Sequence, residues 1–269
     1  MIRPSRRRFL SAAAILGAAC SKQDGDPPDS GPSRLGKPVS AYGEPSPFEN
    51  VKRGVRETKT PEAASSRTPL GDLHGTITPS GVHFERHHAG VPDIDPAKHE
   101  LFVHGMVERP LALSMADLKR LPSVSRAYFV ECSGNSGGEW GATRGPTASI
   151  SHGLASCSEW TGVPLSIVLE EAGLQPGASW LLAEGADACR MSRSVPVAKA
   201  LDDALLAYAQ NGEAIRPGQG YPLRLLLPGW EGNANVKWLR RIEAGDQPFM
   251  TKDETSKYTD LLADGRARQ

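Results

Sequence analysis

The chain has 269 residues, with 31 basic and 31 acidic side chains and a formal net charge of zero. That balance excludes nucleic-acid binding driven by bulk positive charge. Hydrophobic residues at 39% and charged residues at 23% point to a packed core, and no stretch reaches the roughly 18 apolar residues of a membrane span.

Arg3, Arg6, Arg7 and Arg8 precede a short apolar run, Phe9 to Ala19. This reads as a cleaved signal over residues 1–20, and Ser5-Arg6-Arg7-Arg8-Phe9-Leu10 has the form of a twin-arginine export signal, which leads to the periplasm. Cys20 after Gly17-Ala18-Ala19 allows plain cleavage or lipid anchoring. Eight prolines among many Ser and Gly residues mark residues 21–69 as a linker or surface arm. An organised domain is expected over 70–262, followed by a polar tail, 263–269. The 28 glycines and 22 prolines favour short strands and loops over a helical bundle.

Within the domain, Glu100–Gly105 reads as a strand, and Leu113–Leu121 as a helix capped by Ser114 and stopped by Pro122. Ala127–Val130 reads as a strand running into Glu131-Cys132-Ser133-Gly134-Asn135. Pro164–Ala172 reads as a helix with Leu165, Val168 and Leu169 on one face and Gly173 as its stop. Trp180–Ala183, Leu223–Leu227 and Val236–Ile242 read as strands, and Val197–Leu206 as a turn with a short helix. The irregular mixture implies an α+β domain.

Four cysteines, Cys20, Cys132, Cys157 and Cys189, form neither a C-x-x-C nor a C-x-x-C-H. Zinc-ribbon and thioredoxin readings therefore fail, and the chain attaches no c-type haem. Cys132, at a strand end before a glycine-rich turn, suits a soft metal ligand, a nucleophile or a buried structural thiol. His83-Phe84-Glu85-Arg86-His87-His88 concentrates polar groups that would grip a phosphate or heterocycle, or line a solvated loop. Gly185-Ala186-Asp187 turns an Asp after a strand. Arg224 opens an apolar run, where a buried cation calls for an anion. Asn235 and Lys237 fall on one face of the expected strand, and Lys237, Arg240 and Arg241 form a basic cluster that an anionic ligand or surface ion pairs would balance.

Together these segments resemble the sulfite oxidase family of molybdopterin-dependent oxidoreductases over about residues 75–262. The matching stretches are 83–88, 131–135, 184–187, 191–196, 211–224 and 235–239, with Tyr258 at the family's active-site tyrosine. Within the family, Pro228-Gly229-Trp230-Glu231-Gly232-Asn233, residues 236–243 and residues 254–260 are most similar to the molybdenum subunit of the bacterial Sox sulfane/sulfite dehydrogenase. The resemblance implies Mo-molybdopterin, one molybdenum per chain, ligated by Cys132. It implies cofactor contacts from Phe84, Glu85, Arg86, His87, His88, Asp187, Gln219, Arg224, Asn235, Val236 and Lys237, and catalytic roles for Cys132, Arg86 and Tyr258. It also implies oxidation of sulfite or carrier-bound sulfane sulfur, with electrons passed to a c-type cytochrome.

The sequence departs from the family at two positions. Gly137 stands where sulfite oxidases carry a substrate-binding Arg, and Gln219 where they carry a cofactor His. The family's C-terminal immunoglobulin-like domain is expected to be absent, leaving a homodimer without its usual interface. The competing readings are a sulfoxide- or nitrate-type molybdopterin reductase and a truncated, inactive remnant. A zinc hydrolase ranks third, for want of a ligand set.

Overall fold

In the computed structural model, residues 36–139, 145 and 147–268 are described. The expected signal, Cys20 and Trp140 lie outside them. Residues 36–48 are exposed and carry no helix or strand. Residues 49–269 form a separate compact unit.

That unit starts earlier than composition suggests. Strands β1 (Gly54–Arg56) and β2 (Ser65–Arg67) pair antiparallel, and β2 pairs with β3 (Glu85–Arg86). The latter half of the expected arm thus contributes two short strands, the second of which anchors the histidine-rich segment. Thr68, fully buried, donates its N–H to the Gly153 carbonyl at 2.8 Å.

Two five-stranded sheets carry the rest. One comprises β4 (Glu100–Gly105), β5 (Leu111–Ser114), β8 (Trp180–Gly185), β9 (Ser192–Pro196) and β13 (Leu239–Gly245), in the order β5-β4-β13-β8-β9. Only its β4–β13 pair is parallel. The other runs β11-β10-β7-β6, with β12 also paired to β10, from β6 (Val124–Glu131), β7 (Ala155–Pro164), β10 (Leu205–Gln210), β11 (Glu213–Ala214) and β12 (Arg224–Leu226). The α+β expectation stands.

Side-chain alternation divides the second sheet between two cores. Leu206, Leu225 and Leu227 point into the larger core, with Leu101, Val103, Leu181 and Ile242 of the first sheet. Leu205, Ala207 and Leu226 point the other way, onto Phe84, Val130 and Trp160. Cys132 packs at the margin of this smaller core.

Helix α1 (Met115–Arg120) begins at Ser114, whose Oγ accepts the Asp117 N–H in a reciprocal capping box. Helices α2 (Ala148–His152), α3 (Leu165–Ala172), α4 (Val197–Asp202) and α5 (Lys252–Ser256) follow. Gly173 ends α3 at φ 70°, the left-handed conformation that favours glycine.

Three expectations change. Leu205 and Leu206 are strand rather than helix, because β10 lies between β7 and β12. Residues 236–238 are not strand: Trp238 has φ 54°, its indole N–H donates to the Pro217 carbonyl at 3.0 Å, and regular pairing starts at Leu239. The polar tail folds back, with Ala267–Arg268 (β15) paired to Asp260–Leu261 (β14).

Candidate functional site: a cationic cavity beside one thiol

Strand β6 delivers Cys132, half-buried, to the margin of the smaller core. Past the strand end, the Cys132 N–H donates to the Leu154 carbonyl at 2.9 Å. Asn135 locks the turn behind it: its amide donates to Glu131 Oε1 at 2.9 Å, and its oxygen accepts the Leu154 N–H at 3.0 Å. The Glu-Cys-Ser-Gly-Asn string therefore has a mechanical meaning, since Glu131 and Asn135 clamp the loop that presents the thiol.

One cavity gathers Cys132 with Phe84, Glu85, Arg86, His87, His88, Asp187, Gln219, Arg224, Asn235, Val236, Lys237 and Tyr258. These come from six separate segments of the chain. Their contributions differ. Phe84 and Val236 are apolar wall and belong to the two cores. Asn235 is scaffold: its oxygen accepts the Leu227 N–H at 2.7 Å, and its amide donates to the carbonyls of Trp230 and Glu231. Gln219 donates to the Phe84 carbonyl at 2.7 Å and so ties the histidine-rich segment to the Arg224 loop. Gly220 closes that loop at φ 110°, where an added Cβ would lie 3.1 Å from Lys237 Cα.

Arg224 and Lys237 supply the charge. Arg224 is buried. Its guanidinium donates to the carbonyls of Gln219 and Asn235 and stands 4.8 Å over the Trp160 ring. Its Nε has no partner, and burial lowers its pKa to about 9. Lys237 donates to the carbonyls of Arg86 and Gly218 and to His87 Nδ1, the last at 2.8 Å. Burial first, then the neighbouring Arg224, pushes it down to about 7. Among the described residues neither cation forms an ion pair with a carboxylate.

The histidines are fixed by their neighbours. Because Lys237 donates to His87 Nδ1, the ring proton sits on Nε2 and is donated to Glu85 Oε2 at 3.0 Å. Burial opposes ionisation of Glu85, but hydrogen bonds from His87 and Arg53 hold its carboxyl down to about 2. His88 Nε2 meets Tyr258 Oη at 3.1 Å. Burial, then the nearby Cys132, raises the Tyr258 pKa. Asp187 accepts the Met191 N–H at 3.2 Å and the Cys189 thiol at 2.7 Å, pinning its turn against the cavity.

Sequence reasoning gave His83 no role of its own, yet it lines the cavity. Its Nδ1 lies 3.1 Å from the Phe84 carbonyl, which places the proton there and leaves Nε2 a buried acceptor with no partner. Burial lowers its pKa to about 3, so the ring is neutral. Its position at the head of the histidine run was the available signal. Other histidines and tryptophans have structural roles: His99 Nε2 meets the Leu239 carbonyl at 2.9 Å, His152 meets Glu139, and Trp160 is core. Arg240 and Arg241 both pair with Glu184.

Among the described residues no group of three or more His, Cys, Asp and Glu side chains could hold a metal ion. The donor set instead fits an anionic heterocyclic group carrying its own metal ligands. Buried Arg224 and half-buried Lys237 can neutralise an anion, His83 Nε2, without a partner among the described residues, can accept a hydrogen bond, and one thiol stands at the rim.

The comparisons agree. A family model, the oxidoreductase molybdopterin binding domain, matches residues 88–252. The crystal structure of the sulfane dehydrogenase SoxCD from Paracoccus pantotrophus superposes with a TM-score of 0.84 at 46% identity, covering 88% of this chain and 62% of that one. NADH nitrate reductases from Ulva prolifera and Cichorium intybus are 34% identical over 200 residues and 35% over 211. These alignments cover 68% and 72% of this chain but only 23% and 22% of the relatives. The family model spans more than half of the chain, and the chain belongs to the oxidoreductase molybdopterin-binding family.

Proposed function

We propose that the chain uses Mo-molybdopterin, one molybdenum per chain, to oxidise sulfite or sulfane sulfur held on a carrier, and passes the electrons to a c-type cytochrome. The observation that carries the cofactor half is the juxtaposition of Cys132 with buried Arg224 and half-buried Lys237, which form no ion pair with a carboxylate among the described residues. The sulfur half is supported by 46% identity to a sulfane dehydrogenase, against 34% and 35% for the nitrate reductases.

In this reading the Cys132 thiolate is the protein's ligand to the metal. Arg224 and Lys237 neutralise the anionic cofactor, and His83 Nε2 accepts a hydrogen bond from its ring system. The bound group supplies two-electron redox chemistry at sulfur. Arg86, whose guanidinium donates to the Ala63 carbonyl at 3.3 Å, steers an incoming anion. Tyr258 and His88 share a hydrogen bond, so a proton released at Tyr258 Oη has an acceptor in place. The twin-arginine signal would export the folded, loaded chain to the periplasm.

A second reading, nitrate reduction, draws on the nitrate reductase relatives. The test is to purify the full chain from a molybdopterin-making host, measure molybdenum, and assay sulfite and thiosulfate oxidation with cytochrome c against nitrate reduction. Near one molybdenum per chain with sulfur-dependent cytochrome reduction supports the proposal. Nitrate turnover without sulfur oxidation overturns it in favour of the second reading, and a folded chain without molybdenum overturns both.

A further inference from the structure

We propose that Arg53, in the arm ahead of the family domain, is a positioning residue for the cationic cavity: through Glu85 it keeps His87 a hydrogen-bond acceptor and so fixes Lys237 in the cavity wall. What the cavity holds rests on the molybdopterin reading above; the chain of contacts stands on geometry.

The family model begins at residue 88, so the arm and most of the histidine-rich segment precede it. Strand β2 nevertheless pairs with β3, Ser66 opposite Glu85 and Ser65 opposite Arg86. Ser66 Oγ accepts the Glu85 N–H at 3.2 Å, and the Ala64 carbonyl accepts the His87 N–H at 3.1 Å. The arm thus holds the backbone of residues 85–87. Arg53, immediately ahead of β1, adds a side-chain staple. Its guanidinium donates to the His83 carbonyl at 3.3 Å and pairs with Glu85 Oε1.

From Arg53 the contacts run inward in series. Glu85 Oε2 accepts from His87 Nε2 at 3.0 Å, and His87 Nδ1 accepts from Lys237 Nζ at 2.8 Å. Side-chain exposure falls along the way, from 28% at Arg53 to 21% at Glu85 and 10% at His87, so the series leads from solvent to the cavity. Gly218 makes room for the carboxylate, since a Cβ there would lie 2.3 Å from Glu85 Oε1. An ammonium has three donors, and those of Lys237 go to His87 Nδ1 and to the carbonyls of Arg86 and Gly218. Its charge is therefore held at one point rather than on a swinging stem. That hold requires a lone pair on His87 Nδ1. A carboxylate with the imidazole as its one charged-group partner favours the imidazolium, whose second N–H would repel Lys237. Arg53 is a permanent cation on the same carboxylate and opposes that second proton. Burial lowers the His87 pKa, Glu85 works against this, and the charges of Lys237 and Arg53 add to the lowering. The ring's aromatic neighbour, Trp238 at 5.8 Å, carries no charge.

The experiment uses the full chain labelled with 15N at histidine, and the molybdenum-loaded chain for retention on dialysis. At neutral pH His87 is expected to show a protonated Nε2 and an unprotonated Nδ1. In Arg53→Gln the Nδ1 signal should move toward the protonated position, and molybdenum loss should quicken about threefold or more, as expected for a partly exposed contact between charged groups. Arg53→Lys keeps the cation and should restore the Nδ1 signal and most of the retention. An unchanged His87 pattern or unchanged retention in folded Arg53→Gln overturns the proposal, and so does an Arg53→Lys variant no better than Arg53→Gln. If Arg53→Gln does not fold, Gly218→Ala decides, because its Cβ displaces the Glu85 carboxylate and should give the same Nδ1 shift; an unmoved signal overturns the proposal. A His87 pattern that depends on Arg53 in a chain that takes up no molybdenum sinks the cofactor reading and leaves the series of contacts standing.

Discussion

Arg240 and Arg241 on β13 both reach Glu184, and Arg241 also meets Glu243 at 3.1 Å. Lys237, three residues earlier, and Arg224 reach no carboxylate among the described residues, and Arg224 is only 3% exposed. In sequence Lys237 belongs to one basic cluster with Arg240 and Arg241, while Arg224 opens an apolar run. In space one pair is neutralised by the fold and the other is held in readiness for a charge the protein does not supply. Partner supply, not residue type, separates a structural cation from a ligand-binding one.

Substitutions can break this contrast. The largest effect belongs to the shared corner: Cys132→Ser should abolish turnover and empty the site of molybdenum while the melting temperature of the chain stays close to its original value. Retained turnover would remove the thiolate from the mechanism. Next, Lys237→Met should lower cofactor retention about tenfold or more, the worth of one lost charge-assisted contact, read as bound molybdenum after dialysis.

The same lysine gives a pH signature in the cofactor-free chain. Its folded pKa of about 7 lies below the unfolded value near 10.5. Between those values the unfolded state binds more protons, so stability at this site rises with pH. Denaturation midpoints of the unmodified chain should therefore gain on those of Lys237→Met from pH 7 to pH 10, and a constant difference would contradict the burial of the charge. Tyr258→Phe should slow sulfite turnover several-fold with little change in molybdenum content. The smallest effect is expected at the paired cluster, where Arg240→Ala should cost at most about 1 kcal/mol in a denaturant melt and leave activity unchanged.

Much of the local structure was legible. The Ser114 cap, the Gly173 stop and the alternation of Leu101 and Val103 in β4 each follow from short-range chemistry, and each falls where the sequence put it. Strand β10 was not legible, because an apolar run such as Ala204-Leu205-Leu206-Ala207 suits helix or strand alike until β7 and β12 flank it. The strand expected at 236–238 failed for a related reason: Trp238 takes a left-handed turn to place its indole against Pro217, a contact 21 residues away in sequence. The scaffold duty of Asn235 was not legible either: every polar atom of its side chain is committed to the backbone of residues 227–231.

The sequence by itself determined the chemistry on offer: a lone cysteine after a hydrophobic strand, a run of histidines around an arginine, and cations set in apolar surroundings. These are properties of residue type and near neighbours, and no fold is needed to state them. Only the tertiary structure decided which of those groups meet. It brought six distant segments around one cavity, gave Glu184 to Arg240 and Arg241, and left Arg224 and Lys237 without a carboxylate ion pair among the described residues. Charge pairing depends on approach within a few ångströms, and that distance is set by how sheets and loops pack rather than by spacing along the chain.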